Sequence, residues 1–393
     1  VTRPTRVRLR RGAGRRLAAG HRWVFSNELE RVPTDLPPGT EVVVEDARGR
    51  VLGTGDCNPH SLIAVRIHTP WREAILDRPA LAARLRAALD LRRRALGEEA
   101  AACRVAFGEA DALPGLVVDR FGDRLAVQIL TAGMERRREA VLSALEEVLA
   151  PRGIVLRNDA PARALEGLRR AVETVGDVPE RVWFRLGELE LAADLVRGQK
   201  TGFFFDQREN YRLLRPFAPG AEVLDAFCYS GAWGLSALTW GAKEVTFLDA
   251  SAGALDLVRA NLERNGLAGG RTVRGEGVPF LKEAARTGRR WDVVILDPPA
   301  FAKSRRHVPE ALRGYLNLNA WGLRCVRPGG ALVTCSCSHH VRPGPFTEAV
   351  ARAAARAGRT VRVVGRGAQG PDHPWLPGMP ETAYLKVLLL VVE

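Results

Sequence analysis

The chain has 393 residues, 46% apolar and 26% charged, and its 59 Lys plus Arg against 45 Asp plus Glu give a net charge of +14. That length suits two or three domains, each with its own core, and the composition excludes disorder, collagen and coiled coil for the whole. No apolar run approaches the ~18 residues needed to span a bilayer, and the basic N-terminus lacks the apolar stretch of a secretory signal. Six cysteines in so long a chain do not make a disulfide framework. A soluble cytoplasmic protein with no membrane partner is expected.

A pI near 10.3 favours a polyanionic partner, because neutralising phosphates releases counterions. Only five of the basic residues are lysine, which is the pattern of a GC-rich genome. The distribution says more than the total. Arg3, Arg6, Arg8, Arg10, Arg11, Arg15, Arg16 and Arg22 all precede the first acidic residue, Glu28, and Trp23-Val24-Phe25 follows directly. A folded basic surface is expected there, with Arg8, Arg10, Arg11 and Arg16 as nucleic-acid contacts.

Residues 1–76 read as a β-rich module, with strands such as Glu41–Glu45 and Ile63–Ile67 and turn punctuation at Asn58-Pro59. From Arg78 to about Leu96, Leu81, Leu85 and Leu89 recur every four residues, which predicts a connector helix. Residues 77–188 continue as an α+β module, with strands at 115–119 and 125–128 and an amphipathic helix near 134–149. From 189 to 393 strands and helices alternate in the manner of a doubly wound parallel sheet. Its predicted strands are Val223–Phe227, Val245–Asp249, Trp291–Asp297, Gly330–Thr334 and a terminal Tyr384–Val392 segment in a hairpin.

In such sheets a ligand binds outside the carboxyl ends of the strands, at the switch point. Asp225, Asp249, Asp297 and the Cys335/Cys337 pair all lie where strands end. Asp225-Ala226-Phe227-Cys228-Tyr229-Ser230-Gly231 is a strand leaving through a turn into a helix, and Asp249 lies 24 residues on, placed to accept from both ribose hydroxyls. Neither a full G-x-G-x-x-G nor a G-x-x-x-x-G-K-[ST] is present, so a nucleoside without a pyrophosphate fits better than a dinucleotide or ATP. S-adenosylmethionine is such a ligand. Asp297-Pro298-Pro299-Ala300-Phe301 is a stiff turn holding an acid and a ring together, suited to a flipped planar base. Phe301, with Lys303 in the same loop, forms the substrate side.

Thr334-Cys335-Ser336-Cys337-Ser338-His339-His340 ends a strand, and two-residue alternation puts Cys335 and Cys337 on one face. This spacing wraps a tetrahedral ion poorly and no second Cys pair accompanies it, so no metal is expected. A thiolate is the right nucleophile for C6 of a pyrimidine.

Four ordered segments carry a resemblance: Gly198–Asn210 (GQKTGFFFDQREN), Asp225–Gly231, Asp297–Ser304 (DPPAFAKS) and Thr334–His340. Together they resemble the bacterial 23S rRNA (cytosine-5)-methyltransferases that carry an N-terminal PUA-like domain, over nearly the whole chain. The resemblance implies S-adenosylmethionine as cofactor and a base in 23S ribosomal RNA as substrate. It places Thr201 and Arg208 beside the methionine end of the cofactor, Asp225, Phe227 and Gly231 along its loop, Asp249 on its ribose and Glu276 at the adenine amine. It gives Asp297 the edge of the cytosine. Two-cysteine relatives have Cys after the two prolines, where this chain has Ala300, which leaves Cys337 as the sole nucleophile. Two other readings stay open: methylation of a guanine nitrogen, which needs no cysteine, and a non-catalytic ribosome-assembly factor. A homodimer is an open assembly.

Overall fold

The computed structural model describes residues 5–302 and 304–393. The chain divides into two compact units: Val1–Val182 with Asp194–Gly202 and Pro371–Ala383, and Trp183–Ala193 with Phe203–Gly370 and Tyr384–Glu393.

The first unit holds two five-stranded sheets. One is built from β1 (Thr5–Arg8), β2 (Trp23–Phe25), β3 (Thr40–Glu45), β4 (Val51–Cys57) and β5 (Ile63–Pro70), in the order β1-β3-β4-β5-β2. Val7 and Leu9 turn into its core while Arg6, Arg8 and Arg10 alternate outward, the two-residue period that strand geometry dictates. A one-turn helix, α1 (Arg15–Ala18), adds Leu17 to the same core. The second sheet contains β6 (Ala102–Phe107), β7 (Leu116–Phe121), β8 (Arg124–Ile129), β9 (Gly153–Asn158) and β10 (Ala171–Gly176), ordered β10-β9-β8-β7-β6.

The connector helix is α2 (Arg78–Leu96), as its leucine spacing predicts. Asp77 caps it by accepting from the Ala80 amide at 3.0 Å, and Pro79 fits the first turn, where no amide is needed. Leu81, Leu85 and Leu89 enter the core of the second sheet. The helix expected near 134–149 is two, α3 (Ala132–Arg136) and α4 (Arg138–Leu149); a short α5 (Ala162–Leu165) follows. Arg92 of α2 is fully buried; it donates to both oxygens of Asp111 and to the carbonyl of Asp372, whose own carboxylate accepts from the Arg104 amide. That network ties the Pro371–Ala383 strap into the unit.

The second unit begins with a ribbon, β11 (Val182–Leu186) and β12 (Leu189–Ala193), whose first residue belongs to the other unit. Its main sheet has seven strands: β13 (Glu222–Ala226), β14 (Glu244–Asp249), β15 (Gly270–Arg274), β16 (Trp291–Leu296), β17 (Val326–Ser336), β18 (Val361–Gly367) and β19 (Lys386–Val392). The order is β15-β14-β13-β16-β17-β19-β18; the first five run parallel, and β19 is antiparallel to both β17 and β18. The central strands are apolar and buried, as a sheet covered on both faces requires. The covering helices are α6 (Ala232–Thr239), α7 (Ala252–Arg264), α8 (Gly277–Arg286), α9 (Val308–Arg324) and α10 (Pro343–Ala357). Chain order reverses at β13, so a crevice opens at the carboxyl ends of β13 and β16. No helix among the described residues is long and apolar enough to cross a membrane.

Candidate active site

The loop after β13 is bent hard. Phe227 and Tyr229 adopt φ of 65° and 47°, conformations that non-glycine residues rarely enter, and Gly231 follows at 84°. The amides of Phe227 and Cys228 both donate to the Leu248 carbonyl, at 2.8 and 3.1 Å, which binds the loop to the end of β14. Gly231 is sterically required: a Cβ there would lie 3.0–3.1 Å from Val258 and Phe247. Gly277 at the start of α8 is required for a different reason, since its Cβ would come 2.3 Å from the Phe227 ring.

Asp225 is fully buried, and one carboxylate oxygen accepts from the Gly234 amide at 2.9 Å. The other has no partner among the described residues. Burial above all, with help from Asp297 and Asp249, pushes its pKa up to about 7 against the Gly234 hydrogen bond. Asp249 is half-buried, with one oxygen accepting from the Tyr229 amide at 3.0 Å and the other from Ser251 at 2.8 Å. Each oxygen keeps a lone pair for a further donor. The Gly275 amide donates to the Asp249 carbonyl at 3.0 Å, which brings exposed Glu276 to the edge of this region.

The second half of the site lies at the ends of β16 and β17. Asp297 accepts from Gln207 Nε2 at 2.9 Å and from Trp233 Nε1 at 3.3 Å, and Asn210 holds Gln207 by donating to its Oε1 at 2.7 Å. Trp233 sits on α6, directly after the cofactor loop, so this carboxylate couples the two halves. Ser338 is a clamp. Its buried Oγ accepts from the Phe301 and Ala302 amides at 3.1 and 3.3 Å and meets Tyr315 Oη at 3.0 Å. The Phe301 ring rests 4.7 Å from that of Tyr315.

The two thiols differ. Cys335 lies within β17, paired with Val387 and fully buried; burial, with Asp297 next in effect, pushes its pKa well above the ordinary thiol value. The strand ends at Ser336, one residue short of Cys337, so the expected alternation stops before the second thiol. Cys337 is half-exposed, the other five cysteines are buried, and its thiol approaches the Pro298 carbonyl at 3.9 Å.

Other anticipated residues fall elsewhere. Thr201 belongs to the first unit, where its hydroxyl donates to Asp119. Arg208 is buried, its guanidinium 6.0 Å from the Phe205 ring. Lys303 and Arg3 lie outside the described residues. Arg8, Arg10, Arg11 and Arg16 are all exposed, but Arg8 pairs with Glu45 and Arg16 with Glu28, while Arg10 donates to the Leu29 carbonyl. One further cluster of metal-ligand atoms, Glu41, Asp56 and His68, already holds a cation, since Arg137 donates to both carboxylates at 2.7 and 2.8 Å. Gln207, Asn210, Trp233, Tyr315 and Ser338 were not anticipated as site residues, although four of them fall within or beside the motif segments.

Residues 141–391 match the family of S-adenosylmethionine-dependent methyltransferases, and residues 7–70 match a PUA-like domain. The chain belongs to the S-adenosylmethionine-dependent methyltransferases. It is 35% identical over 390 residues, 98% of each chain, to the ribosomal RNA large subunit methyltransferase I of Aeromonas hydrophila. The same enzyme of Photobacterium profundum is 35% identical over 97% of this chain and 98% of its own. Among solved structures, an S-adenosylmethionine-dependent methyltransferase of Streptococcus mutans shares the fold with a TM-score of 0.84 and 19% identity, over 98% of this chain and all of the other. A methyltransferase complexed with SAH superposes with a TM-score of 0.85, also at 19% identity and the same coverage.

This methyltransferase therefore uses S-adenosylmethionine as cofactor, and the site fits it. The unpartnered Asp225 oxygen, the two-oxygen acceptor at Asp249 and the tight loop between them suit a nucleoside carrying a cationic sulfonium. Asp249→Ala removes two hydrogen bonds to a charged acceptor, each worth ~1.5–3 kcal/mol, so calorimetry should show S-adenosylmethionine affinity falling at least about tenfold. Unchanged affinity would contradict the ribose assignment. Asp225 yields a pH prediction. Because its folded pKa is raised, it costs the fold nothing below the ordinary carboxylate range, and stability is lost as pH rises through about 7. Asp225→Asn should thus gain stability relative to wild type between about pH 5 and pH 8 in urea unfolding. A pH-independent difference would contradict the raised pKa.

Proposed function

We propose that this enzyme methylates C5 of a cytosine in 23S ribosomal RNA, in the cytoplasm, through a covalent bond between Cys337 and C6 of the base. The observation that carries the reading is the position of Cys337: the one cysteine not buried, beyond the end of β17 and against the Asp297-Pro298 turn. A methyltransferase acting on a guanine nitrogen has no use for such a thiol. The relatives' name, ribosomal RNA large subunit methyltransferase I, supports the substrate class.

S-adenosylmethionine, when bound, supplies the methyl group. The protein's part is to make C5 nucleophilic. Cys337 Sγ attacks C6, and the C5–C6 π electrons move to C5 and the ring. Asp297, held by Gln207 and Trp233, accepts from the amino edge of the cytosine and steadies the charge shift. Once C5 is methylated, a base removes its proton, the C5–C6 bond re-forms and Cys337 leaves as thiolate. The Ser338 clamp holds Phe301 and the proline turn fixed against the flipped base. In this reading Thr201, Arg208, Phe227, Gly231 and Glu276 complete the cofactor side, and Lys303 joins Phe301 on the substrate side. Residues 1–76 form the RNA-binding module, 77–188 the central module and 189–393 the methyltransferase domain. Arginines at the N-terminal sheet contact phosphates, which position the RNA without reading it.

Two experiments test this. Cys337→Ala should abolish methyl transfer and the covalent adduct with 5-fluorocytosine-containing RNA, while Cys335→Ala should still form the adduct. The reverse pattern would exchange the thiols, and an adduct surviving both changes would end the covalent mechanism. Neutralising Arg8, Arg10, Arg11 and Arg16 together should weaken RNA binding and flatten its dependence on salt, leaving S-adenosylmethionine affinity intact. Glu28 and Glu45 already neutralise two of the four, so Arg10→Ala with Arg11→Ala should account for most of the loss. An unchanged salt slope would remove this sheet from the RNA contact.

A further inference from the structure

One buried cation in the second unit has no part in the chemistry above. Lys386 opens β19, where it pairs in register with Ser336, and it is only 8% exposed. Its Nζ donates to the carbonyl oxygens of Ser338 and Tyr384, both at 2.7 Å. Residues 336 and 338 flank Cys337, so this one side chain spans the stretch of chain that carries the thiol. Among the described residues no carboxylate pairs with it. Burial pulls its pKa down to about 8, and the one opposing influence is Cys337.

A lysine buried without a counterion is costly as an ammonium. As a neutral amine it has two N–H bonds, which the two carbonyls satisfy, and one lone pair left over. We propose that Lys386 takes the proton of Cys337 and holds the resulting thiolate as its counterion, making it the positioning residue that arms the nucleophile. In this step the S–H bond breaks with its electrons staying on sulfur, an N–H bond forms at Nζ, and the net charge of the pair is unchanged. The other titratable groups acting on this end of the strand are Tyr315 from α9 and Cys335 from β17, with Asp297 acting on Cys335. Among the described groups, Lys386 alone brings a positive charge. A nearby cation is the established way to hold a thiol ionised near neutral pH.

The inference rests on Cys337 being the attacking thiol, but its test does not need methyl transfer. The other five cysteines are buried, so iodoacetamide applied to the native protein reads Cys337, followed by the mass of its peptide. In wild type the pH midpoint of alkylation should lie at least about one pH unit below the ordinary thiol value of about 8.5. Lys386→Met should raise the midpoint by more than about one unit and slow alkylation at neutral pH on the order of tenfold. Lys386→Arg keeps the charge and should keep the midpoint low. A wild-type midpoint at or above the ordinary value overturns the proposal, as does a Met variant with the wild-type midpoint. Should the Met variant fail to fold, wild type and the Arg variant still decide. A low midpoint together with an RNA adduct that survives Cys337→Ala would remove the nucleophile while leaving the lysine–thiol pair standing.

Discussion

Three carboxylates meet at one edge of one sheet, and the rest of the site follows from keeping them there. Parallel strands must all end on the same side, so the acids closing β13, β14 and β16 are brought together by topology alone. Asp249 and Asp297 are near enough to help raise the pKa of buried Asp225. Such crowding of like charge is unfavourable unless donors or a cation answer it. The fold answers with the amides of Gly234, Tyr229 and Ser251 and the side chains of Gln207 and Trp233. The remaining lone pairs face a cofactor whose sulfonium is positive and whose ribose donates two hydroxyls. Affinity for S-adenosylmethionine is in this sense the relief of a standing electrostatic cost.

The same economy governs the thiols. Cys335 and Cys337 stand two residues apart, yet one is sealed in the sheet and the other lies beyond its end. Burial without a cation raises a thiol's pKa; placement beside a buried lysine does the opposite. The end of β17 separates two chemically identical groups into a packing residue and a reactive one. The strained turn at Phe227 and Tyr229 belongs to this logic too, because a relaxed loop would not reach the Leu248 carbonyl from consecutive amides.

The acids at the strand ends were legible because buried parallel strands read as apolar runs, and a charge closing such a run is conspicuous. The Asp297-Pro298-Pro299 turn and the leucine period of α2 were legible for equally local reasons. What holds Asp297 was not. Gln207 lies 90 residues away and Trp233 lies 64, and no spacing pattern announces a hydrogen bond across such a distance. Lys386 left one trace, a lone lysine opening an apolar terminal strand, but its partners at Ser338 and Tyr384 are tertiary facts. The N-terminal arginines read correctly as a basic surface, while their neutralisation by Glu28 and Glu45 depends on strand pairing and chain reversal. Thr201 sits beside a cofactor motif in sequence, and its hydroxyl is bound to Asp119 of the first unit.

The central claim is that the thiol beyond β17 makes a pyrimidine carbon, rather than a purine nitrogen, the methyl acceptor. Nucleoside mass spectrometry decides this most directly. Large-subunit RNA lacking the modification would be incubated with the purified protein and isotopically labelled S-adenosylmethionine, then digested to nucleosides. The label should appear in 5-methylcytidine; label confined to a methylated guanosine would contradict the claim.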